Sequence, residues 1–414
     1  MNDQNQTENQ TQTPPKTQHQ TQHRHRTLIA VSAAAALLAG TVSLSACTSA
    51  TEQTAGPGSE SGPLQDRMQS LVDAGYPAAL ASVIGPDGSS TDVAAGIGDL
   101  ATDEPAQVDG EVRIASNTKM FVSTVVLQLV EEGKVALDAP IDTYLPGLIT
   151  GDGIDGTRIT VRQLLQHTAG LPEYADQIAA DAFAAQERYT SPRDMLDIAL
   201  AKPAVFAPGE RWAYSNTNYL VLGLMIEHVT DRALGQQIDE RIVKPLDLEH
   251  TYFPAPGERE LRGEHPKGYH AKTAGELVDF TALDTSFAWS AGALVSTPRE
   301  LNVFMKALLD GELLNEETLA EMQTTVPAGD ELWPGAGYGL GLQSYPLSCG
   351  GVAWGHGGDI PGTQTRNAVG PDGTAVTIAV TSLPWAVVSP DDTERLMEQY
   401  RIVVDALDAS LCER

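Results

Sequence analysis

The chain has 414 residues, of which 42 % are hydrophobic and 20 % are charged, as expected for a globular protein with a substantial buried core. Its 55 acidic residues outnumber the 26 basic ones and give a formal net charge of −29. Because nucleic-acid backbones and anionic lipid surfaces are bound by clustered lysine and arginine, this balance argues against both as electrostatic partners. The acidity indicates a solvated, self-repelling surface and names no substrate.

The first 63 residues are predicted to form three segments outside the folded domain. Residues 1–26 are polar and rich in Gln, Thr and Asn, a composition that predicts a disordered leader. Residues 27–46 follow basic residues, are mostly apolar and end in small residues, which is the form of a secretory signal. A permanent membrane-spanning helix is the alternative for this run, which is short for that role. Residues 47–63, rich in Ser, Thr, Gly and Pro, have the composition of a flexible tether.

The end of the apolar run, Leu44-Ser45-Ala46-Cys47, resembles the bacterial lipobox. In proteins with this motif the cysteine is modified with a diacylglyceryl group and becomes the first residue of the processed protein. Two acyl chains are enough to hold a protein stably on a membrane. The resemblance therefore implies an exported protein, anchored at the outer face of the cell membrane through Cys47 or secreted if Cys47 is not lipidated.

The three cysteines of the chain are Cys47, Cys349 and Cys412. If Cys47 carries the lipid, the other two form an even pair, which can bridge in an oxidising compartment. Two unrelated free thiols are the alternative.

Strand patterns occur near both ends of the folded region, which we place at residues 64–414. Turns of the form Gly-Pro-Asp-Gly, at residues 85–88 and 370–373, each separate two apolar strand patterns and predict β-hairpins. Helical patterns at residues 64–74 and 391–411 can cover one face of the resulting sheet.

The predicted fold class is therefore α+β, with an antiparallel sheet built from both chain ends and covered by helices. The sheet part comprises about residues 64–115 and 290–414. Between its strands, about residues 116–289 form an inserted helical subdomain.

The most informative segment is Ser116-Asn117-Thr118-Lys119, which leads into an apolar helical pattern at residues 120–130. A helix that is apolar nearly all round is a buried one, and Lys119 lies one turn after Ser116 on the same face. Burial disfavours the charged ammonium form, and a neutral amine beside a hydroxyl can take its proton. An isolated Ser-x-x-Lys pair more often combines a capping serine with a solvated lysine, but this one opens the most apolar helix of the chain.

Two further motifs each occur once in the chain. Tyr214-Ser215-Asn216 begins a helical pattern, and His356-Gly357-Gly358 follows a predicted strand. A single Tyr or His is more often structural, whereas the three motifs in this order indicate a catalytic set.

The three motifs resemble those of the serine β-lactamase and penicillin-binding hydrolases, in the branch of class C β-lactamases and D-alanyl-D-alanine carboxypeptidases. Supporting stretches at residues 167–172 and 338–342 also match, and the resemblance spans about residues 64–414. The sequence is most similar to secreted actinobacterial D,D-carboxypeptidases, whose disulfide Cys349 and Cys412 would also fit. The resemblance implies the β-lactamase/transpeptidase-like fold.

The resemblance also implies roles for individual residues. Ser116 would be the acyl-forming nucleophile, with Lys119 and Tyr214 sharing proton transfer. Asn216 would position the substrate amide, and His356 would supply a polar contact from the opposite wall. The remaining substrate-binding candidates are Gly358, Asp359, Phe287 and Trp289, the two aromatic residues being equally compatible with core packing. The backbone N–H groups of Ser116 and Asp359 would stabilise the oxyanion.

One departure from the family concerns the substrate carboxylate. Carboxypeptidase relatives bind it with an arginine and hydroxyl side chains, but the corresponding positions here are Gln343, Gly357 and Asp359. Two like charges about 4 Å apart repel by ~4 kcal/mol at an effective dielectric of about 20, so Asp359 would oppose a carboxylate there. Either another residue compensates, or the substrate does not end in a carboxylate at this point.

The function implied by the resemblance is hydrolysis of cell-wall peptide of the D-alanyl-D-alanine carboxypeptidase type, through an acyl-enzyme. Esterase or β-lactamase activity on the same fold is the runner-up, so the expected substrates are cell-wall peptide, a β-lactam or an ester. A non-catalytic surface lipoprotein that binds muropeptide or a partner is the alternative of another class. The intact set of Ser116, Lys119 and Tyr214 argues against it. We expect no cofactor and no metal, because no Walker A loop or zinc-binding signature is present.

Overall fold

The computed structural model describes residues 62–329 and 333–413. The predicted leader and signal segment, Cys47 and nearly all of the predicted tether lie outside the described residues, so the predictions made for them remain predictions. None of the helices in the described ranges combines the length and apolar character needed to cross a bilayer.

Within the described residues, the largest sheet has nine strands, and every pairing in it is antiparallel. Both predicted hairpins are present, and the strands of the first pair in the register Ala78↔Gly96. The first strand also pairs with the last, Ala79 opposite Val380, which joins the two chain ends. In spatial order the strands are Val326–Pro327, Gly337–Tyr338, Gln343–Pro346, Val352–Ile360, Thr363–Val369, Ala375–Val380, Ala78–Ile84, Ser90–Asp99 and Glu104–Pro105.

Shorter strands pair outside this sheet. Val112–Arg113 pairs with Val295–Ser296, Thr150–Gly151 with Ile154–Asp155, and Tyr269–His270 with Val278–Asp279. The α-helices span Pro63–Asp73, Thr118–Glu131, Val161–Leu165, Ala175–Ala179, Ala182–Ala185, Pro192–Leu200, Asn216–Thr230, Leu234–Ile238, Trp289–Gly292, Pro298–Leu309, Glu316–Met322, Pro384–Val387 and Thr393–Cys412.

Helices cover both faces of the sheet. On one face, the first and last helices bury Met68 and Leu407 in a cluster with Ile378 of the sheet. On the other face, Phe304 of helix Pro298–Leu309 stacks on Phe121 with ring centroids 3.7 Å apart. Each fully buried side chain of this size contributes about 1.5–3 kcal/mol relative to exposure. The predicted α+β fold class is thus confirmed.

Helix Thr118–Glu131 is the central helix of the molecule. All its residues from Thr118 to Leu127 are buried, as the apolar pattern predicted. The helix ends before Gly133, whose φ of +68° is in the left-handed region that favours glycine at a helix terminus. Because the helix is surrounded by protein, any polar side chain on its first turn must find partners inside the molecule.

The disulfide Cys349–Cys412 is present, with a Cα–Cα distance of 5.6 Å. It joins the turn before strand Val352–Ile360 to the end of the last helix. The C-terminal helix is therefore fastened covalently to the strand that carries the third motif.

Candidate active site

Ser116 lies in a short 3-10 turn, Ala115–Asn117, at the entrance to the central helix. Ala115 has a φ of +47°, a left-handed conformation that is unfavourable for a residue with a side chain. The turn is held by Asn117, whose Nδ2 donates to the carbonyl of Ile114 at 2.8 Å and to Thr365 Oγ1 at 2.6 Å. Strain of this kind persists where the surroundings fix the backbone, and it is common at functional sites.

Lys119 is completely buried, and its amine lies within hydrogen-bond distance of three oxygens. Nζ is 3.0 Å from Ser116 Oγ, 2.8 Å from Asn216 Oδ1 and 2.7 Å from the carbonyl oxygen of Ala291. Burial lowers the pKa of Lys119 to about 7, against a smaller opposing effect of the Glu173 charge. The two carbonyl oxygens can only accept, so a neutral amine donates to both and keeps its lone pair for the Ser116 hydroxyl.

Tyr214 is the second group in contact with the Ser116 hydroxyl. Burial raises the pKa of Tyr214 well above its ordinary value, although its hydrogen bond with Ser116 acts in the opposite direction. The Lys119 Nζ lies 4.9 Å from the centre of the Tyr214 ring. A phenol that keeps its proton can both accept and donate a hydrogen bond, which suits it to passing a proton between neighbouring groups.

Asn216 is held by a carboxylate that the sequence analysis did not identify. Glu173 Oε2 accepts from the backbone N–H of Asn216 at 2.7 Å and from its Nδ2 at 3.1 Å, and Oε1 accepts from Ala175 N at 2.7 Å. This fixes the amide so that Asn216 Oδ1 faces Lys119. Glu173 directly follows the matched stretch 167–172, but nothing in the sequence links it to a residue 43 positions later.

His356 is linked to two residues of the supporting stretches by a buried hydrogen-bond chain. His167 Nδ1 accepts from the backbone N–H of Ser215 at 3.2 Å, so its Nε2 carries the proton and faces Tyr338 Oη at 3.1 Å. Tyr338 Oη in turn lies 2.9 Å from His356 Nε2. Burial, followed by the charge on Lys119, lowers the pKa of His356 to about 3, so the ring is neutral.

His356 lines the polar cavity, on the wall where its role was predicted. Its Nδ1 lies 2.5 Å from the carbonyl oxygen of Gly357, so both ring nitrogens have partners within the protein. These bonds order the third-motif strand, and a polar contact from His356 to substrate stays a prediction. The ring of His167 also packs on Tyr214, with centroids 4.3 Å apart, so the same chain supports both walls.

The cation that seemed lost from the third-motif region is supplied by the next strand. Arg366 Nη1 and Nη2 donate to the two carboxylate oxygens of Asp359 at 2.9 Å and 3.3 Å. Burial acts to lower the pKa of Arg366, and the Asp359 carboxylate more than reverses this effect. A Cβ on Gly357 would lie 3.1 Å from Arg366 Nη1. Glycine at this position, where relatives carry a hydroxyl side chain, therefore makes room for the guanidinium.

Two cavities meet at Ser116, Asn216 and Asp359, which line both. The first, which we call the apolar cavity, has a volume of about 200 Å³ and is further lined by Ala115, Tyr174, Phe287, Ile360, Leu383 and Trp385, among others. The second, the polar cavity, has a volume of about 540 Å³ and is further lined by Trp212, Tyr214, Gln343, Tyr345, His356 and Arg366, among others. The described residues contain no group of three or more His, Cys, Asp and Glu side chains placed to hold a metal ion.

Comparison with known proteins identifies the family. The Beta-lactamase family model matches residues 64–401. The chain belongs to the β-lactamase family. A protein of Salmonella typhimurium named as a D-alanyl-D-alanine carboxypeptidase is 27 % identical over 301 residues, covering 63 % of this chain and 68 % of that relative.

Solved structures give the same result. The D-stereospecific amidohydrolase from a Streptomyces species is 35 % identical with a TM-score of 0.72, covering 81 % of this chain and 96 % of that one. The D-amino acid amidase from Ochrobactrum anthropi is 26 % identical with a TM-score of 0.72, covering 84 % and 98 %. The chain is a serine-type hydrolase of the β-lactamase family, which confirms the predicted enzyme class.

The β-lactamase-family cleft contains some, but not all, of the predicted substrate contacts. Phe287 lines the apolar cavity, as predicted. Trp289 does not: it packs against Gly223 of helix Asn216–Thr230 and lines a separate pocket, which supports the core-packing alternative. Gly358 lines neither cavity. It faces the backbone before Ser116, and a Cβ at this position would lie 2.2 Å from the Ile114 carbonyl oxygen. Its role is to let the third-motif strand approach the Ser116 turn closely.

Proposed function

We propose that Ser116 is the nucleophile of this hydrolase and that Lys119 in its neutral form is the base. The observation that supports this assignment is the position of Ser116 Oγ, 3.0 Å from a buried amine whose other two partners can only accept. The lone pair of Lys119 takes the hydroxyl proton while Oγ attacks the carbonyl carbon of the substrate. The resulting oxyanion would be stabilised by the backbone N–H groups of Ser116 and Asp359, both of which line the two cavities.

Tyr214 completes the proton transfer in this mechanism. The Tyr214 hydroxyl is hydrogen-bonded with Ser116, and its raised pKa means that the phenol keeps its proton. It can therefore protonate the nitrogen or oxygen of the leaving group as the substrate bond breaks. Water then attacks the acyl-Ser116 ester, and its proton passes back through the same groups. Asn216, fixed by Glu173, holds Lys119 in place throughout.

We propose that the substrate is an amide whose acyl part is a D-amino acid residue, the class that includes D-alanyl-D-alanine peptides. The names of the Salmonella, Streptomyces and Ochrobactrum relatives all denote D-configured substrates. The apolar cavity beside Ser116, walled by Phe287, Ile360 and Trp385, is suited to the apolar side chain of such a residue. Ester hydrolysis by the same acyl-enzyme is the second candidate, because Tyr214 can protonate either leaving atom.

The nucleophile is tested by intact-mass measurement after incubation with a penicillin or a D-alanine p-nitrophenyl ester. Wild type should gain the mass of the acyl group, and Ser116→Ala should not. Ser123→Ala is the matched control, because Ser123 is a buried serine of the central helix that Ser116 precedes, and its hydroxyl is hydrogen-bonded with that of Tyr219 at 2.9 Å. A wild-type protein that forms no adduct and hydrolyses neither reagent would refute the assignment.

The substrate class is tested separately by comparing D-alanine and L-alanine p-nitroanilides. A kcat/KM ratio of at least tenfold in favour of the D form is expected. Equal turnover of the two enantiomers, with the Ser116 adduct still formed, would leave the nucleophile in place and overturn the substrate class.

We also propose that the protein is exported and anchored through a lipid on Cys47. The lipobox-like segment supports this location, and a disulfide between Cys349 and Cys412 suits an oxidising compartment. Globomycin, which blocks lipoprotein processing, should change the mass of the processed protein. An unchanged mass after treatment would rule out the anchor.

A further inference from the structure

Under the proposed function, the position of Tyr214 determines which of the two cavities receives the leaving group. Tyr214, which would protonate the leaving group, lines the polar cavity and is not among the residues that line the apolar cavity. The departing nitrogen must lie within hydrogen-bond reach of the Tyr214 hydroxyl. The leaving group therefore extends into the polar cavity, and the acyl part occupies the apolar one.

One wall of the polar cavity carries the Asp359–Arg366 pair. The Arg366 side chain is 7 % exposed and that of Asp359 is 33 % exposed. Arg366 Nη1 donates both to Asp359 and, at 2.7 Å, to the carbonyl oxygen of Thr365, while Nη2 donates to the other carboxylate oxygen. Both members line the polar cavity, but the cation is nearly buried and engaged by internal acceptors, so the more accessible member is the anion.

The neutral side chain of Gln343 adds no charge to the wall of the polar cavity. Gln343 also lines the polar cavity, and its Oε1 is hydrogen-bonded by the Tyr345 hydroxyl. No second cation lines the polar cavity among the described residues. A leaving group that reaches this wall therefore meets an accessible carboxylate that can accept hydrogen bonds from it, beside a guanidinium whose donors are engaged by Asp359 and Thr365.

We propose that the Asp359–Arg366 pair selects leaving groups that end in an N–H donor, such as a carboxamide, and rejects those that end in a free carboxylate. A carboxamide N–H can donate to the accessible oxygens of Asp359, whereas a carboxylate can donate nothing and is repelled by the like charge. This inference rests on the proposed function and specifies its leaving group. The preferred substrate is then a D-amino acid residue whose carbonyl group is joined to an amino acid amide or a peptide amide.

The reaction balances without a co-reactant other than water. Ser116 Oγ forms a bond to the D-acyl carbon, the carbon–nitrogen bond breaks, and the proton from Oγ reaches the leaving nitrogen through Lys119 and Tyr214. Water then hydrolyses the ester to the D-amino acid carboxylic acid and restores the Ser116 hydroxyl. The terminal carboxamide of the leaving group is unchanged and serves only for recognition.

The test compares two substrates with the same acyl part, D-alanyl-D-alaninamide and D-alanyl-D-alanine. Cleavage of the shared bond is followed by mass spectrometry, as D-alaninamide released from the first substrate and as half of the D-alanine released from the second, because each D-alanyl-D-alanine molecule yields two molecules of D-alanine. Wild type should favour the carboxamide by at least tenfold in kcat/KM. Asp359→Asn removes the anion and frees Arg366, and it should lower this preference at least tenfold. Asp197→Asn, at an exposed ion pair with Arg193, is the matched control and should retain the wild-type preference.

A second measurement keeps the proposal testable if Asp359→Asn does not fold. As product inhibitors of wild-type ester hydrolysis, D-alaninamide should compete at least tenfold more strongly than D-alanine. A wild-type preference for the carboxylate substrate, a preference unaltered in folded Asp359→Asn, or equal inhibition by the two products would overturn the inference. In each of these cases the Ser116 adduct would still form. Absence of the adduct would refute the proposed function, and the inference with it.

Discussion

Replacing Glu173 by glutamine should move the acidic limb of the pH–activity profile to lower pH. The active form of Lys119 is the neutral amine, and the negative charge of Glu173 stabilises the protonated form, against the larger effect of burial. The two groups lie at opposite ends of the Asn216 amide, a separation of roughly 8 Å, at which unit charges interact by about 2 kcal/mol at an effective dielectric of about 20. Since about 1.4 kcal/mol corresponds to one pKa unit, the midpoint should fall by about 1 to 1.5 pH units.

The substitution should also reduce the plateau of the profile. Glu173 accepts three hydrogen bonds, two from Asn216 and one from Ala175, and an amide cannot accept on its nitrogen. Depending on how the glutamine side chain is turned, either the Ala175 N–H or both donors of Asn216 lose their acceptor, at a cost of about 1–3 kcal/mol for each group. If that cost falls on the orientation of Asn216, kcat/KM at the plateau decreases roughly tenfold.

The assay is kcat/KM for a D-amino acid p-nitrophenyl ester, measured across acidic and neutral pH. Glu111→Gln is the matched control, because Glu111 is a buried carboxylate that accepts from Tyr252 Oη at 2.9 Å and Arg262 N at 3.1 Å, partners that line neither cavity. The Glu111→Gln substitution should lower the free energy of unfolding and leave the midpoint of the pH–activity profile unchanged. A Glu173→Gln midpoint at or above the wild-type value would refute the electrostatic reasoning.

Three further outcomes are expected. The wild-type acylation rate should rise with pH around a midpoint near 7, because burial lowers the pKa of Lys119 to about 7 and only the neutral amine takes the Ser116 proton; a midpoint near that of a free lysine would contradict this. Gly358→Ala should slow acylation and lower the free energy of unfolding by about 1–3 kcal/mol, measured by thermal unfolding, because its Cβ would lie 2.2 Å from the Ile114 carbonyl oxygen. Cys349→Ser combined with Cys412→Ser opens a loop of 63 residues and should cost roughly 4 kcal/mol in denaturant unfolding with the acylation rate unchanged; equal stability would refute the chain-entropy estimate.

The sheet and the central helix could be predicted because their signals are local. The two Gly-Pro-Asp-Gly turns fix the hairpins through turn chemistry, and the apolar pattern after Lys119 indicates burial on every side. The contact between Ser116 and Lys119 follows from helical spacing in the same way. Tyr214 and His356 could be found only as motifs in a fixed order, since their proximity to Ser116 depends on the tertiary fold.

The remaining contacts depend on pairings between distant segments, which carry no pattern in a single sequence. Glu173 contacts Asn216 across a loop, and Arg366 reaches Asp359 from the neighbouring strand because residues 359 and 364 face each other in the register. The position of Trp289 could not be predicted for a related reason. Its backbone has a φ of +29°, a conformation that a sequence pattern does not predict, and its side chain lines a different pocket from that of Phe287.

The net charge of −29 and the charge preference of the site are separate properties. Surface carboxylates more than about 8 Å from a substrate are screened at physiological ionic strength, so the acidic surface has little effect on which leaving group is accepted. Asp359 is different because it lines both cavities and is only partly exposed, where screening is weaker. Its charge is balanced within 3 Å by Arg366, but the balance is asymmetric, because the anion is the more exposed member of the pair. Selection by charge therefore depends on the orientation of one ion pair, and added salt should alter the carboxamide preference far less than Asp359→Asn does.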